Sequence, residues 1–231
     1  MTVSPSVSRH GRELFHFQSH TLLEVEGVNW PYDGFTGSGL PDLLITEPGT
    51  VSYPHGQTHV FELSQDKMHC IADVLWGYYL YRDDLNHDGR EEIIFGDPYV
   101  GLFNVPLHTG LSPPVVMSYQ NGRYRVDTSL MWRPLPSRAG LQDWAREIRG
   151  YAQAKPPGYS PLGDEFAFQW AIPCVDSMQR MIYSGHLDTA REFLHLCWPP
   201  KWRGESEFWS GFIDSLSHSR YWPEIRTLNR M

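Results

Sequence analysis

The sequence predicts an α+β fold, with a β-rich half over residues 1–136 and a helical half over residues 137–231. Three observations carry that prediction. Of the 231 residues 41% are apolar, 14% aromatic and 20% charged, which is enough hydrophobe to build a core and too much for a disordered chain. Short apolar runs broken by Gly, Pro, Asp and Asn then give way, after Pro134-Leu135-Pro136-Ser137, to apolar residues at helical spacing. Length fits one or two domains, so the halves are either separate domains or packed as one unit.

From about Phe15 to Arg133 the runs Leu43-Leu44-Ile45, Ile93-Ile94-Phe95 and Pro114-Val115-Val116-Met117 read as strands bounded by turn residues. About four short helices follow. Leu141, Trp144, Ala145, Ile148 and Ala152 mark the first, with a start at Ser137 or Gly140 and a stop at Lys155-Pro156-Pro157-Gly158. A helical pair turns near Gly185, with Cys174, Met178, Met181 and Ile182 on one arm and Leu187, Ala190, Phe193, Leu194 and Cys197 on the other. Asp188 suits the first turn of the second arm and Trp198-Pro199-Pro200 ends it. The last helix, about Glu205 to Ser217, lines up Phe208, Trp209, Phe212, Ile213 and Leu216, a stripe that reads as core before it reads as a partner groove.

Cys70, Cys174 and Cys197 match no zinc spacing. Cys174 and Cys197, on opposite arms of the helical pair, either form one bridge or remain two buried thiols. The net charge of −8 opposes a nucleic-acid partner. No apolar window reaches the length of a membrane span, and MTVSPSVSRHGRELF lacks the pattern of an export signal. Placing the protein in the periplasm or outside the cell therefore presumes a leader already removed; otherwise it is cytoplasmic.

A repeat stands out in the first half. Residues 39–48, GLPDLLITEP, align at an offset of 50 with residues 89–98, GREEIIFGDP. Each has a glycine, an acid, an apolar run and an acid-proline pair. Ahead of the second copy, Asp84-Leu85-Asn86-His87-Asp88-Gly89-Arg90-Glu91-Glu92 places oxygen-bearing side chains at the first, third, fifth and ninth positions. That spacing suits calcium, which takes six to eight oxygens. Asp84, Asn86, Asp88 and Glu92 would bind through side chains and Arg90 through its carbonyl, while Gly89 permits the sharp turn. The competing reading is an acidic turn, since Asp, Asn and Gly favour turns for local reasons. The first copy has Gly34, Thr36 and Ser38 in place of Asp84, Asn86 and Asp88, so it is expected to keep the turn without the ion.

A helix-loop-helix calcium motif needs Glu at the twelfth position, where this chain has Phe95. With an apolar strand following the loop, residues 84–95 and 34–45 resemble FG-GAP or VCBS-type repeats, the calcium-carrying blades of integrin-α-like propellers. The resemblance implies hairpin units with calcium in the loop and a role in recognition. A closed propeller does not fit in the roughly 120 residues available.

His16 with His20 and His55 with His59 have the i, i+4 spacing of helical zinc ligands, but they fall in strand- or loop-like stretches. No nucleophile elbow, phosphate-binding glycine loop, zinc-protease motif or Cys-His signature occurs. The expected function is a non-catalytic, calcium-stabilised, exported protein that recognises another protein, of the inhibitor or immunity type. The alternatives are a secreted or periplasmic hydrolase with a structural calcium and a structural or assembly subunit.

Overall fold

A computed structural model describes residues 4, 6–9, 11–19, 23–27, 36–49, 55–64, 67–98, 112–152 and 167–231. The fold is α+β. The chain divides into two compact units, Met1–Gly96 with Val116–Asp127, and Asp97–Val115 with Thr128–Met231.

The first unit holds the strands. A small hairpin pairs β1 (Ser6–Arg9) with β2 (Arg12–His16). An antiparallel sheet then runs in chain order through β3 (Glu24–Gly27), β4 (Asp42–Glu47), β5 (His55–Leu63), β6 (Met68–Asp83), β7 (Glu92–Gly96), β8 (Pro114–Gln120) and β9 (Arg123–Val126). It is a curled half-barrel and does not close. The curl follows from β6, a 16-residue strand whose register slips between Val60 and Phe61 of β5 and again between its own Gly77 and Leu80. Extra residues bend a strand and increase its twist, and Tyr78 at the second slip has φ 63°.

Period-2 burial builds the core of the sheet. Leu44, Val60, Val74, Ile93, Phe95 and Val116 are buried, and every residue of β7 is buried, as a strand covered on both faces requires. Phe15 packs on Phe61 with ring centroids 4.5 Å apart, so an aromatic of the small hairpin region contributes to the same unit. Asn121 and Gly122, both at positive φ, close the two-residue turn between β8 and β9.

The second unit is helical: α1 (Thr128–Met131), α2 (Arg138–Ala152), α3 (Ala167–Tyr183), α4 (Leu187–Cys197), α5 (Glu205–Ser217) and α6 (Trp222–Leu228). The Ser137 hydroxyl accepts the Gly140 N–H at 3.1 Å, which places the start of α2 where the sequence suggests it. The expected stop at 155–158 lies outside the described residues. Periodicity indicates four helices and not six because α1 and α6, at four and seven residues, are too short to show a repeating face.

Apolar faces of α2, α3 and α4 meet through Leu141, Ala145, Ile148, Cys174, Met178, Ile182, Phe193 and Leu194, all buried. Trp170 anchors the other end. Its ring lies 5.3 Å from Trp198, 5.2 Å from Trp202 and 5.6 Å from Phe208, and its N–H donates to the Cys197 carbonyl at 3.0 Å. The bridge raised by the sequence is not formed: Cys174 and Cys197 are free, buried thiols. Burial, then the hydrogen bond between the two, pushes the Cys174 thiol well above its ordinary range, away from the thiolate that exchange requires. Deeper still, the fully buried Asp97 Oδ2 accepts hydrogen bonds from the Tyr183 hydroxyl at 2.6 Å and from Ser219.

Candidate metal centre

Asp83 of β6 pairs with Glu92 of β7, so the loop between them closes a hairpin. Its side chains fold inward onto their own backbone. Asp84 accepts the N–H groups of Asp88 at 3.1 Å and Gly89 at 3.0 Å, Asn86 Oδ1 accepts that of Asp88 at 2.9 Å, and Asp88 Oδ1 accepts that of Arg90 at 2.9 Å. Glu92 Oε2 takes the Leu85 N–H at 2.8 Å. His87 and Gly89, at φ 59° and 83°, provide the left-handed steps that double the chain back.

Three of the five predicted ligands meet at the Asn86 amide, and a fourth, Asp84, sits on a neighbouring backbone N–H. Asn86 Nδ2 donates to Asp88 Oδ2 at 3.3 Å and to Glu92 Oε1 at 3.4 Å, while Asp84 shares the Asp88 N–H with Asn86 Oδ1. Arg90, the fifth, enters the turn through its held N–H. Glu92 is 1% exposed, and burial, followed by the charges of Asp88, Asp84 and Asp127, raises its carboxyl above the ordinary range against the opposing Leu85 N–H. The donors are all oxygen, which fits a hard cation. Among the described residues no three His, Cys, Asp or Glu side chains are drawn together as a ready metal cluster. Here the physical reason is plain: like charges repel, and backbone N–H groups hold the carboxylates instead.

The first loop reproduces this conformation with weaker donors. Gly37 and Gly39 have φ 63° and 77° where His87 and Gly89 stand. Ser38 N donates to Thr36 Oγ1 at 3.3 Å and Leu40 N to Ser38 Oγ at 3.2 Å, the counterparts of the Asp88-to-Asn86 and Arg90-to-Asp88 bonds. Gly34, aligned with Asp84, lies outside the described residues. The loops are neighbours, since a Cβ on Gly37 would stand 2.8 Å from Arg90 Cγ.

Asp42, the counterpart of Glu92, begins β4 at 3% exposure. Its Oδ2 accepts the Thr36 N–H at 3.1 Å, whereas Oδ1 has no hydrogen-bond partner among the described residues. Burial pushes its carboxyl up to about 6, against the stabilising effect of Thr36, with smaller contributions from Glu62 and Arg82. Glu62 lies directly opposite on β5 and accepts the Tyr119 hydroxyl at 2.9 Å. Burial and that bond push Tyr119 up to about 12. Arg82 pairs with Glu91 at 3.0 Å. The repeat aligns Asp42 with Glu92 and leaves it as the one charged ligand of a weak first loop, whereas Glu62 and Tyr119 belong to no motif in the sequence. An acid in phase with the buried Leu44 of an alternating strand was the available signal.

His55 and His59 are not placed to share a metal ion. His55 and His59 are four residues apart on β5, a span of about 13 Å at strand rise. His59 instead lies 3.8 Å from Asp73 and against the Phe17 ring. His16 ends β2, and His20 lies outside the described residues.

In the helical unit a cleft of about 470 Å³ is lined by Arg149, His195, Trp198, Trp202, Glu205 and Glu207, among others. His195 Nδ1 lies 3.2 Å from the Glu205 carboxylate. No helix among the described residues is long and apolar enough to cross a membrane. No family model, no curated protein and no solved structure matches the chain.

Proposed function

We propose that this chain is a non-catalytic binding protein that recognises another protein and is stiffened by one calcium ion in the loop from Asp84 to Glu92. Asp84, Asn86, Asp88 and Glu92 would hold the ion through side chains and Arg90 through its carbonyl. Bound there, calcium would offset two of the three carboxylate charges and tie the two ends of a hairpin together. The observation that carries this reading is the Asn86 amide reaching both Asp88 and Glu92, which gathers acidic side chains that would otherwise separate.

The ion also argues for location. A site of ordinary affinity fills at millimolar extracellular calcium and stays largely empty at submicromolar cytosolic levels, so the protein belongs in the periplasm or outside the cell. Its role there is of the inhibitor or immunity type. The test is thermal unfolding in EDTA and across a calcium titration, because an ion that binds only the folded state raises stability with concentration. We expect a saturable rise that Asp88→Ala abolishes. No response up to several millimolar would leave an acidic turn and remove the argument for export.

A second reading, a hydrolase acting on glycans, is favoured by the cleft in the helical unit, where two tryptophans and two glutamates converge. Glu205→Gln and Glu207→Gln decide it: loss of turnover on a soluble glycan library with binding retained supports catalysis, and no turnover by the unaltered protein rejects it.

A further inference from the structure

A buried oxygen without a hydrogen-bond partner needs an explanation, because native structures satisfy nearly all such groups, and an ion is one of the standard answers. Among the described residues Asp42 Oδ1 is such an atom, on a side chain 3% exposed. The turn that holds the other carboxylate oxygen also carries two hydroxyls. Asp42 Oδ2 is held by Thr36 N, and Thr36 Oγ1 lies 3.0 Å from Ser38 Oγ. Thr36 is fully buried whereas Ser38 is exposed, so the group has a closed floor and an opening to solvent.

We propose that Asp42, Thr36 and Ser38 form a site for a monovalent alkali cation, sodium or potassium. Charge decides between valences. One carboxylate and two hydroxyls neutralise a single positive charge. Glu62, whose charge also acts on Asp42 from the opposite strand, accepts the Tyr119 hydroxyl, and Arg82 acts on Asp42 with the opposite sign, so a divalent ion would exceed the one carboxylate that the loop supplies, and an unpaired buried charge is costly. Affinity for calcium falls with the number of charged ligands for the same reason. The site shares no residue with the calcium loop, so either assignment can fail alone.

The experiment is thermal unfolding of the full chain in EDTA at pH 8, in sodium, potassium or choline chloride at equal ionic strength. The alkali salts should raise the melting temperature saturably, by about 3–6 °C at tenfold excess over Kd. Asp88→Ala should keep that response and Asp42→Asn should lose it. Ser38→Ala, which removes an exposed hydroxyl and leaves the core intact, should shift half-saturation to higher concentration. Identical melting in all three salts overturns the proposal, as does a response that survives Asp42→Asn or disappears in Asp88→Ala. If Asp42→Asn fails to fold, Ser38→Ala decides, and an unchanged half-saturation point overturns the site.

Discussion

Asp42→Asn tests the buried carboxylate most directly. The folded state holds this carboxyl at about 6 against an ordinary value of 3.8. At about 1.4 kcal/mol for each tenfold change in proton affinity, ionisation in the folded state costs about 3 kcal/mol. The sign follows from proton binding: the folded protein holds the proton more tightly than the unfolded chain, so stability is complete below pH 3.8 and is lost as pH rises through about 6. Asn carries no charge and escapes that loss. Its carbonyl can still accept the Thr36 N–H, and its amide can donate toward Glu62 on the opposite strand. In choline buffer with EDTA, the variant should therefore gain about 2–3 kcal/mol on the unaltered protein between pH 4 and pH 8. Urea unfolding at several pH values, followed by tryptophan fluorescence, measures this. A difference between the two that stays constant within about 0.5 kcal/mol across that range would refute the reasoning.

Gly56→Ala should destabilise the sheet by about 1–3 kcal/mol, because a Cβ would stand 2.3 Å from Trp76 Cζ2 and the ring is held by its N–H bond to Thr58 at 3.0 Å; a second change, Trp76→Phe, should recover part of the loss in a melting experiment. Tyr183→Phe should cost about 1–3 kcal/mol in chemical unfolding, since it withdraws the Tyr183 hydroxyl from the buried Asp97 carboxylate. Ser38→Asp should leave calcium stoichiometry near one by titration calorimetry, because position 34 is glycine and supplies no ligand side chain; a stoichiometry of two would show the first loop to be a competent calcium site.

The loops illustrate how far residues alone carry the argument. Spacing identified Asp84, Asn86, Asp88 and Glu92, and the structure places their side chains around one turn because each contacts a neighbour no more than eight residues away. The 50-residue repeat likewise reappears as matching left-handed steps at Gly37 and His87 and at Gly39 and Gly89. Asp42 was a different matter. Its environment depends on Glu62 and Arg82, which reach it only through the register of β4 on β5 and the fold of the sheet.

By itself the sequence determined the α+β class, the change of period near residues 134–137, the buried faces of α2 to α5 and the calcium-like spacing of one loop, all properties written in residues a few positions apart. Tertiary structure alone decided the two slips that curl the sheet, the Trp170 cluster, and the bonds from Tyr183 and Ser219 to Asp97 across 86 and 122 positions. The division has a physical cause. Helical period and turn chemistry arise from local backbone geometry, whereas the burial of a carboxylate and the choice of its partners depend on which distant segments the core brings together.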